Sequence, residues 1–107
     1  MQYTADAALV KKHPDERFDL VKKGAKVLWV YRGRVEEGDV QFLFNGKVAL
    51  IWLEGYQSRN DDVAIEDLLS VYDPEGPHHE IFPFSGKGHL LPAGRAWLEA
   101  HPEKAPS

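Results

Sequence analysis

Carboxylates crowd one stretch of the chain. Asp61 and Asp62 fall in NDD, and Glu66 and Asp67 in IED. Paired carboxylates can hold a divalent cation or move protons. Acid–base catalysis also needs a nucleophile or a base at a matching position, and no such partner can be named. Ser58, Ser70 and Ser85 lack the strand–turn–helix setting of a nucleophile elbow. The histidines are His13, His78, His79, His89 and His101. In an extended segment His78 and His79 point apart, which leaves only His89 and Glu80 as further zinc ligands at hand. FSGKGH, from Phe84 to His89, is glycine-rich around Lys87, but it lacks the G-x-x-x-x-G-K-[ST] spacing of a phosphate loop. The chain has no cysteine, which removes disulfides, thiolate metal sites and a cysteine nucleophile. No catalytic residue, metal or cofactor is therefore expected.

Binding is better provided for. Tyr31 and Tyr56 are candidates for an aromatic contact patch, with Arg59, Asp61 and Asp62 setting its polarity. Lys22, Lys23, Lys26, Arg32 and Arg34 form a possible basic stripe along the first strand. Beside tryptophan or tyrosine, such a stripe suits single-stranded nucleic acid. Charge opposes that use. The net charge is −4; residues 35–76 hold 10 acidic and 2 basic residues, against 4 and 8 in residues 1–34. An acidic middle works against broad phosphate neutralisation. A protein partner or self-association is the expectation, with nucleic acid disfavoured.

The elements that must position these residues are short. Thr4 can cap a helix over 5–12, with Asp6 near its positive end. HPDERFDLVKKG has Pro14 in a first turn, Lys22 and Lys23 in a last turn and Gly24 beyond, which predicts a second helix. AKVLWVYR is rich in β-branched and aromatic residues, as a strand requires. Gly33 and RVEEG predict a loop, and DVQFLF a second strand with Val40, Phe42 and Phe44 on one face. Asn45-Gly46 predicts a tight hairpin turn, and KVALIWLE the returning strand. GYQSRNDD reads as a polar loop, VAI as a fourth strand, EDLL as one helical turn and SVYD as a fifth strand. Pro92 to Ala100 reads as a short helix.

The order KKGAKVLWVY, DVQFLF-NG-KVALIWLEGY and DDVAIEDLLSV resembles the Tudor-type, SH3-like small barrels. The matching positions are Gly24, Val27, Trp29, Glu54, Gly55, Tyr56, Val63, Ile65 and Leu68, within residues 24–73. The resemblance implies a mostly β fold, a five-stranded SH3-like barrel with short helical N- and C-terminal segments. It also implies an aromatic cage for a methylated lysine or arginine, for which Tyr31, Tyr56 and Asp61 or Asp62 are the counterparts. Attraction between a cation and an aromatic face would drive such binding.

One domain is expected over 1–107: a helical segment to 23, the barrel over 24–73, and an extension over 74–107. Both faces of the hairpin are apolar, whereas a half-exposed antiparallel sheet alternates apolar and polar residues. Either the tail, with Ile81, Phe82, Phe84, Leu90, Leu91, Trp97 and Leu98, folds over the outer face, or another chain does. No apolar run approaches the roughly 20 residues of a membrane span, and a cytoplasmic location without membrane contact is expected. A non-enzymatic adaptor fits best. The alternatives are a ligand or enzyme site at an oligomer interface, and a nucleic-acid module using the basic segment.

Overall fold

A computed structural model describes residues 5–53, 60–80 and 85–102. Chain direction reverses first at Arg32-Gly33 and again at Asn45-Gly46. All four residues have positive φ, at 52°, 79°, 54° and 68°, as the tight turns of twisted hairpins require. The turns link β1 (Lys26–Tyr31), β2 (Arg34–Phe44) and β3 (Val48–Leu53) into an antiparallel meander. The expected loop over RVEEG is therefore strand: Val35, Glu36 and Glu37 pair with Val30, Trp29 and Leu28. Glu37 is exposed there, and Lys26 Nζ meets it at 3.3 Å.

β4 (Asn60–Ala64) pairs with β3, and a 3₁₀ turn over Ile65–Asp67 follows. β5 (Ser70–Val71) then returns to β1. These five strands follow the expected sequence, but they do not close. The main sheet has six strands in the order β4-β3-β2-β1-β5-β8. The added strand, β8 (His89–Leu90), comes from the tail and takes the outer edge of β5. A five-stranded ring would have needed that edge to close. A smaller pair, β6 (His78–His79) with β7 (Gly86–Lys87), stands beside it.

Helix α1 spans Ala7–Lys12 and is capped by Asp6, whose carboxylate accepts a hydrogen bond from the Ala8 amide at 2.8 Å. Thr4, the cap expected from sequence, lies outside the described residues. The second expected helix, over 14–23, is replaced by a single 3₁₀ turn at Phe18–Leu20. The Arg17 guanidinium donates two hydrogen bonds to Asp19 at 2.9 Å, a spacing that an α-helix would hold apart. Phe18 and Val21 are both sealed in the core, so tertiary packing overrides the terminal signals. The tail helix α2 (Pro92–Ala100) forms as expected, with proline at its first turn.

The core gathers Phe18, Val21, Val27, Trp29, Val40, Leu43, Ala49, Ile51, Ile65, Leu68, Val71 and Leu91. A bulge at Gln41 shifts the register between Val40 and Phe42. The bulge puts Leu43 on the inner face with Val40, while Phe44 is exposed. The expected grouping of Val40, Phe42 and Phe44 on one face is thus broken by one extra residue. The described part of the tail does not cover the outer face: Val30, Phe44 and Trp52 stay more than two-fifths exposed. No helix among the described residues is long and apolar enough to cross a membrane.

Gly38 is the tightest point of the sheet. A Cβ there would lie 2.8 Å from both the Ile51 and Trp29 side chains, and closer still to the Trp52 carbonyl oxygen. The Trp29 ring crosses the sheet over this gap. Alanine normally stabilises a strand interior relative to glycine by roughly 0.5–1 kcal/mol. Gly38→Ala is expected to do the reverse, lowering stability by about 1–3 kcal/mol through overpacking. Urea unfolding measures this, and an unchanged or raised midpoint would contradict the placement of Trp29.

Candidate functional site

Trp29 is almost fully buried, and its indole N–H needs an acceptor. Nε1 donates to Asp61 Oδ2 at 2.8 Å. Trp29 is on β1 and Asp61 on β4, three places apart in the ladder. The curled sheet therefore brings its β4 edge back to β1, joined by a side chain rather than by backbone pairing.

Asp61 also lines a cleft of about 570 Å³. One wall comes from β4 and the 3₁₀ turn, with Asp62, Val63, Ala64 and Asp67; Val30 and Leu69 add apolar surface. The other wall is α2, through Ala93, Ala96 and Trp97. Buried Gly94 sets the helix that close, because a Cβ there would clash with the Leu69 backbone. The small side chains of Ala93 and Ala96 leave the space open. Trp97 stacks on His101 with ring centroids 4.2 Å apart, and His101 Nδ1 lies 2.8 Å from the Trp97 carbonyl oxygen. Three carboxylates thus share a cleft with apolar walls, and among the described residues no Lys, Arg or His lines it.

The far side of α2 is tied to the N-terminal segment. Arg95 Nη1 meets Glu16 Oε1 at 3.1 Å. The Glu16 side chain is buried, and its second oxygen has no hydrogen-bond partner among the described residues. A buried carboxylate that relies on one cation is costly to strand, so this pair holds α2 in place.

A second charged cluster fastens the tail to β5. His89 Nε2 lies 2.8 Å from Asp73 Oδ2, and the Glu75 amide donates to Asp73 Oδ1 at 3.0 Å. The His89 hydrogen bond, then the Glu75 amide, holds the Asp73 carboxyl below the usual carboxylate range. Asp19 is lowered likewise, chiefly by its hydrogen bond from Arg17. The other histidines do not converge: His79 Nε2 lies 3.1 Å from the Gly88 carbonyl, and His78 is 3.8 Å from Glu80. Among the described residues no three metal-ligating side chains come together.

Of the residues singled out from sequence, Asp61 and Asp62 meet in the cleft. Tyr31 is half-buried against the core, 6.4 Å from the Trp29 ring, with the Arg32 guanidinium 5.2 Å over its face. Tyr56 and Arg59 lie outside the described residues. The basic stripe divides. Lys22, Lys23 and Lys26 stand before or at the start of β1, and Arg32 and Arg34 at the turn beyond its end. From Lys26 to Arg32 is roughly 20 Å along a strand, with Glu36 and Glu37 alongside on β2. Asp67 was singled out only as a paired carboxylate, and Ala93, Ala96 and Trp97 were missed as site residues. Their helical spacing was readable for α2, but nothing local says that the helix faces β4.

Comparison with protein-family models, curated proteins and solved structures finds no match for this chain.

The lowered Asp73 pKa has a sign. A carboxyl depressed in the fold stabilises it above the ordinary carboxylate value, and the contribution disappears as pH falls through the lowered folded value. The stability advantage of the natural chain over His89→Ala should therefore be largest near neutrality and shrink between about pH 5 and pH 2. Chemical unfolding across that range tests it; a difference independent of pH would contradict the Asp73–His89 link.

Proposed function

We propose that this chain is a non-enzymatic binding module that takes a basic segment of a protein partner into the acidic cleft between β4 and α2. One observation carries the reading: Asp61, Asp62 and Asp67 line a cleft whose other described walls are apolar, with no basic side chain among the described lining residues. A lysine or arginine has the matching form, an aliphatic stem with a charged head. The stem would lie along Val63, Leu69, Ala93 and Ala96, and the head among the carboxylates. About 570 Å³ is the size of a pocket for a compact ligand. Val30, which lines the cleft and stays more than two-fifths exposed, gives the partner further apolar surface.

The Tudor-type, SH3-like reading supports the same class of guest. A meander followed by a 3₁₀ turn and a fifth strand returning to β1 agrees with that ancestry. Its cage counterparts include Asp61 and Asp62. Tyr31 differs, because its ring already carries Arg32. The split of the basic residues, with acidic β2 side chains between them, disfavours a nucleic-acid face.

Exposed ion pairs are weak singly, about 0.2–1 kcal/mol each, so the affinity should be modest and salt-sensitive. A short capped peptide containing lysine, titrated into ¹⁵N-labelled protein, is expected to shift the amides of Asp62, Asp67, Ala93 and Ala96. Added salt should weaken it, and the Asp62→Lys, Asp67→Lys double variant should abolish it. Both residues are exposed, so the fold tolerates the change; Asp61 is left alone because it holds Trp29. A glutamine peptide that shifts the same amides equally would sink the reading.

A further inference from the structure

The two tight turns of the meander share one backbone form and differ in one residue type. At the second turn Asn45 and Gly46 take φ of 54° and 68°; at the first, Arg32 and Gly33 take 52° and 79°. Asparagine tolerates the left-handed region well, and a long side chain does so at a cost in free energy. The chain thus carries arginine where its own second turn has the easier residue. Strain of this kind recurs at sites of function.

The surroundings hold that arginine in readiness. Its guanidinium lies 5.2 Å over the Tyr31 ring, and Tyr31 packs on the core beside Trp29. Stacking fixes a planar fork that would otherwise sample many rotamers. Arg34 stands opposite Tyr31 in the ladder and is exposed. Arg17 and Arg95 each pair with a carboxylate. Among the described residues Arg32 and Arg34 form no ion pair, in a chain of net charge −4. Two arginine forks at one turn match the geometry of a carboxylate, which takes two parallel N–H donors.

We infer that the β1–β2 turn is a carboxylate-binding site, and that Arg32 and Arg34 clasp an acidic side chain of the same partner segment whose basic side chain enters the cleft. The shared segment rests on the cleft reading above; the carboxylate site does not. Val30 lines the cleft and lies two positions before Arg32, roughly 7 Å along the strand. Tyr31 and its ladder partner Arg34 face the side of β1 opposite Val30, so a partner that rounds this end of the strand, with its basic and acidic residues a few positions apart, would reach both sites. The partner class is a protein segment of mixed charge, not a uniformly basic one.

Three short capped peptides test this on the full chain: one with lysine alone, one with glutamate alone, and one with lysine and glutamate a few positions apart on a flexible spacer. The glutamate peptide is expected to shift the amides of Arg32, Gly33 and Arg34, and the Arg32→Asn, Arg34→Gln double variant to abolish the shifts. The mixed peptide should bind about tenfold tighter than the lysine peptide. In the double variant this gain should vanish while the lysine peptide binds as before. Asparagine suits the turn, as at Asn45, so Arg32→Asn should fold at least as stably, which separates lost recognition from lost structure. A gain that survives in the double variant overturns the proposal. So does a turn that answers inorganic phosphate but not the glutamate peptide. Glutamate binding at the turn with no lysine binding anywhere overturns the cleft reading and the shared segment, and upholds the carboxylate site.

Discussion

A single hydrogen bond, from Trp29 Nε1 to Asp61 Oδ2 at 2.8 Å, decides how the curled sheet finishes. An open antiparallel sheet has two edges, and nothing in its ladder brings them together. Here β4 is one edge and β8 the other. Trp29 reaches from β1 across Gly38, where a side chain would obstruct the ring, and meets β4 at Asp61. A buried indole N–H without an acceptor is costly, and a charged acceptor makes the stronger bond. The same aspartate completes the core and lines the cleft, so the site is a consequence of how the β4 edge is held to β1.

The opposite wall depends on the tail. β8 pairs with β5, the Leu91 amide donates to the Leu69 carbonyl at 2.9 Å, and Gly94 seats α2 on the Leu69 backbone. The Glu16–Arg95 pair secures the helix from the N-terminal side. Segments from both ends of the chain therefore shape a cleft whose carboxylates come from the middle. Much of the acidic surplus becomes a local field, placed where a cation can use it.

What was legible in the sequence follows from how local each signal is. Asn45-Gly46 announces its turn because the residue type and the backbone agree. Pro92 announces α2 for the same reason, and alternating β-branched and aromatic residues announce β1 and β3. Gly33 marked the reversal, but the two-residue Arg32-Gly33 turn was not legible, because arginine is a poor residue for positive φ; the loop was drawn on through RVEEG and β2 was cut short at its start. The Gln41 bulge carries no residue signature, so the faces of Phe42 and Leu43 were exchanged. Terminal signals over 14–23 suggested a helix that burial of Phe18 and Val21 overrode. For the site, composition pointed at Asp61 and Asp62. The contribution of α2 depended on long-range contact, which spacing within a helix does not encode. The pairing of β8 with β5, which replaced ring closure, is equally non-local.

The Trp29–Asp61 link between β1 and β4 is most directly tested by a double-mutant cycle on Trp29→Phe and Asp61→Ala, with unfolding free energies from urea denaturation. Phenylalanine keeps an aromatic ring and removes the N–H, so the cycle isolates the hydrogen bond. A coupling energy of about 1–2 kcal/mol is the expected result. Additivity within about 0.3 kcal/mol would mean that Trp29 and Asp61 do not hold β4 to β1, and the account of how the cleft is built would fail with it.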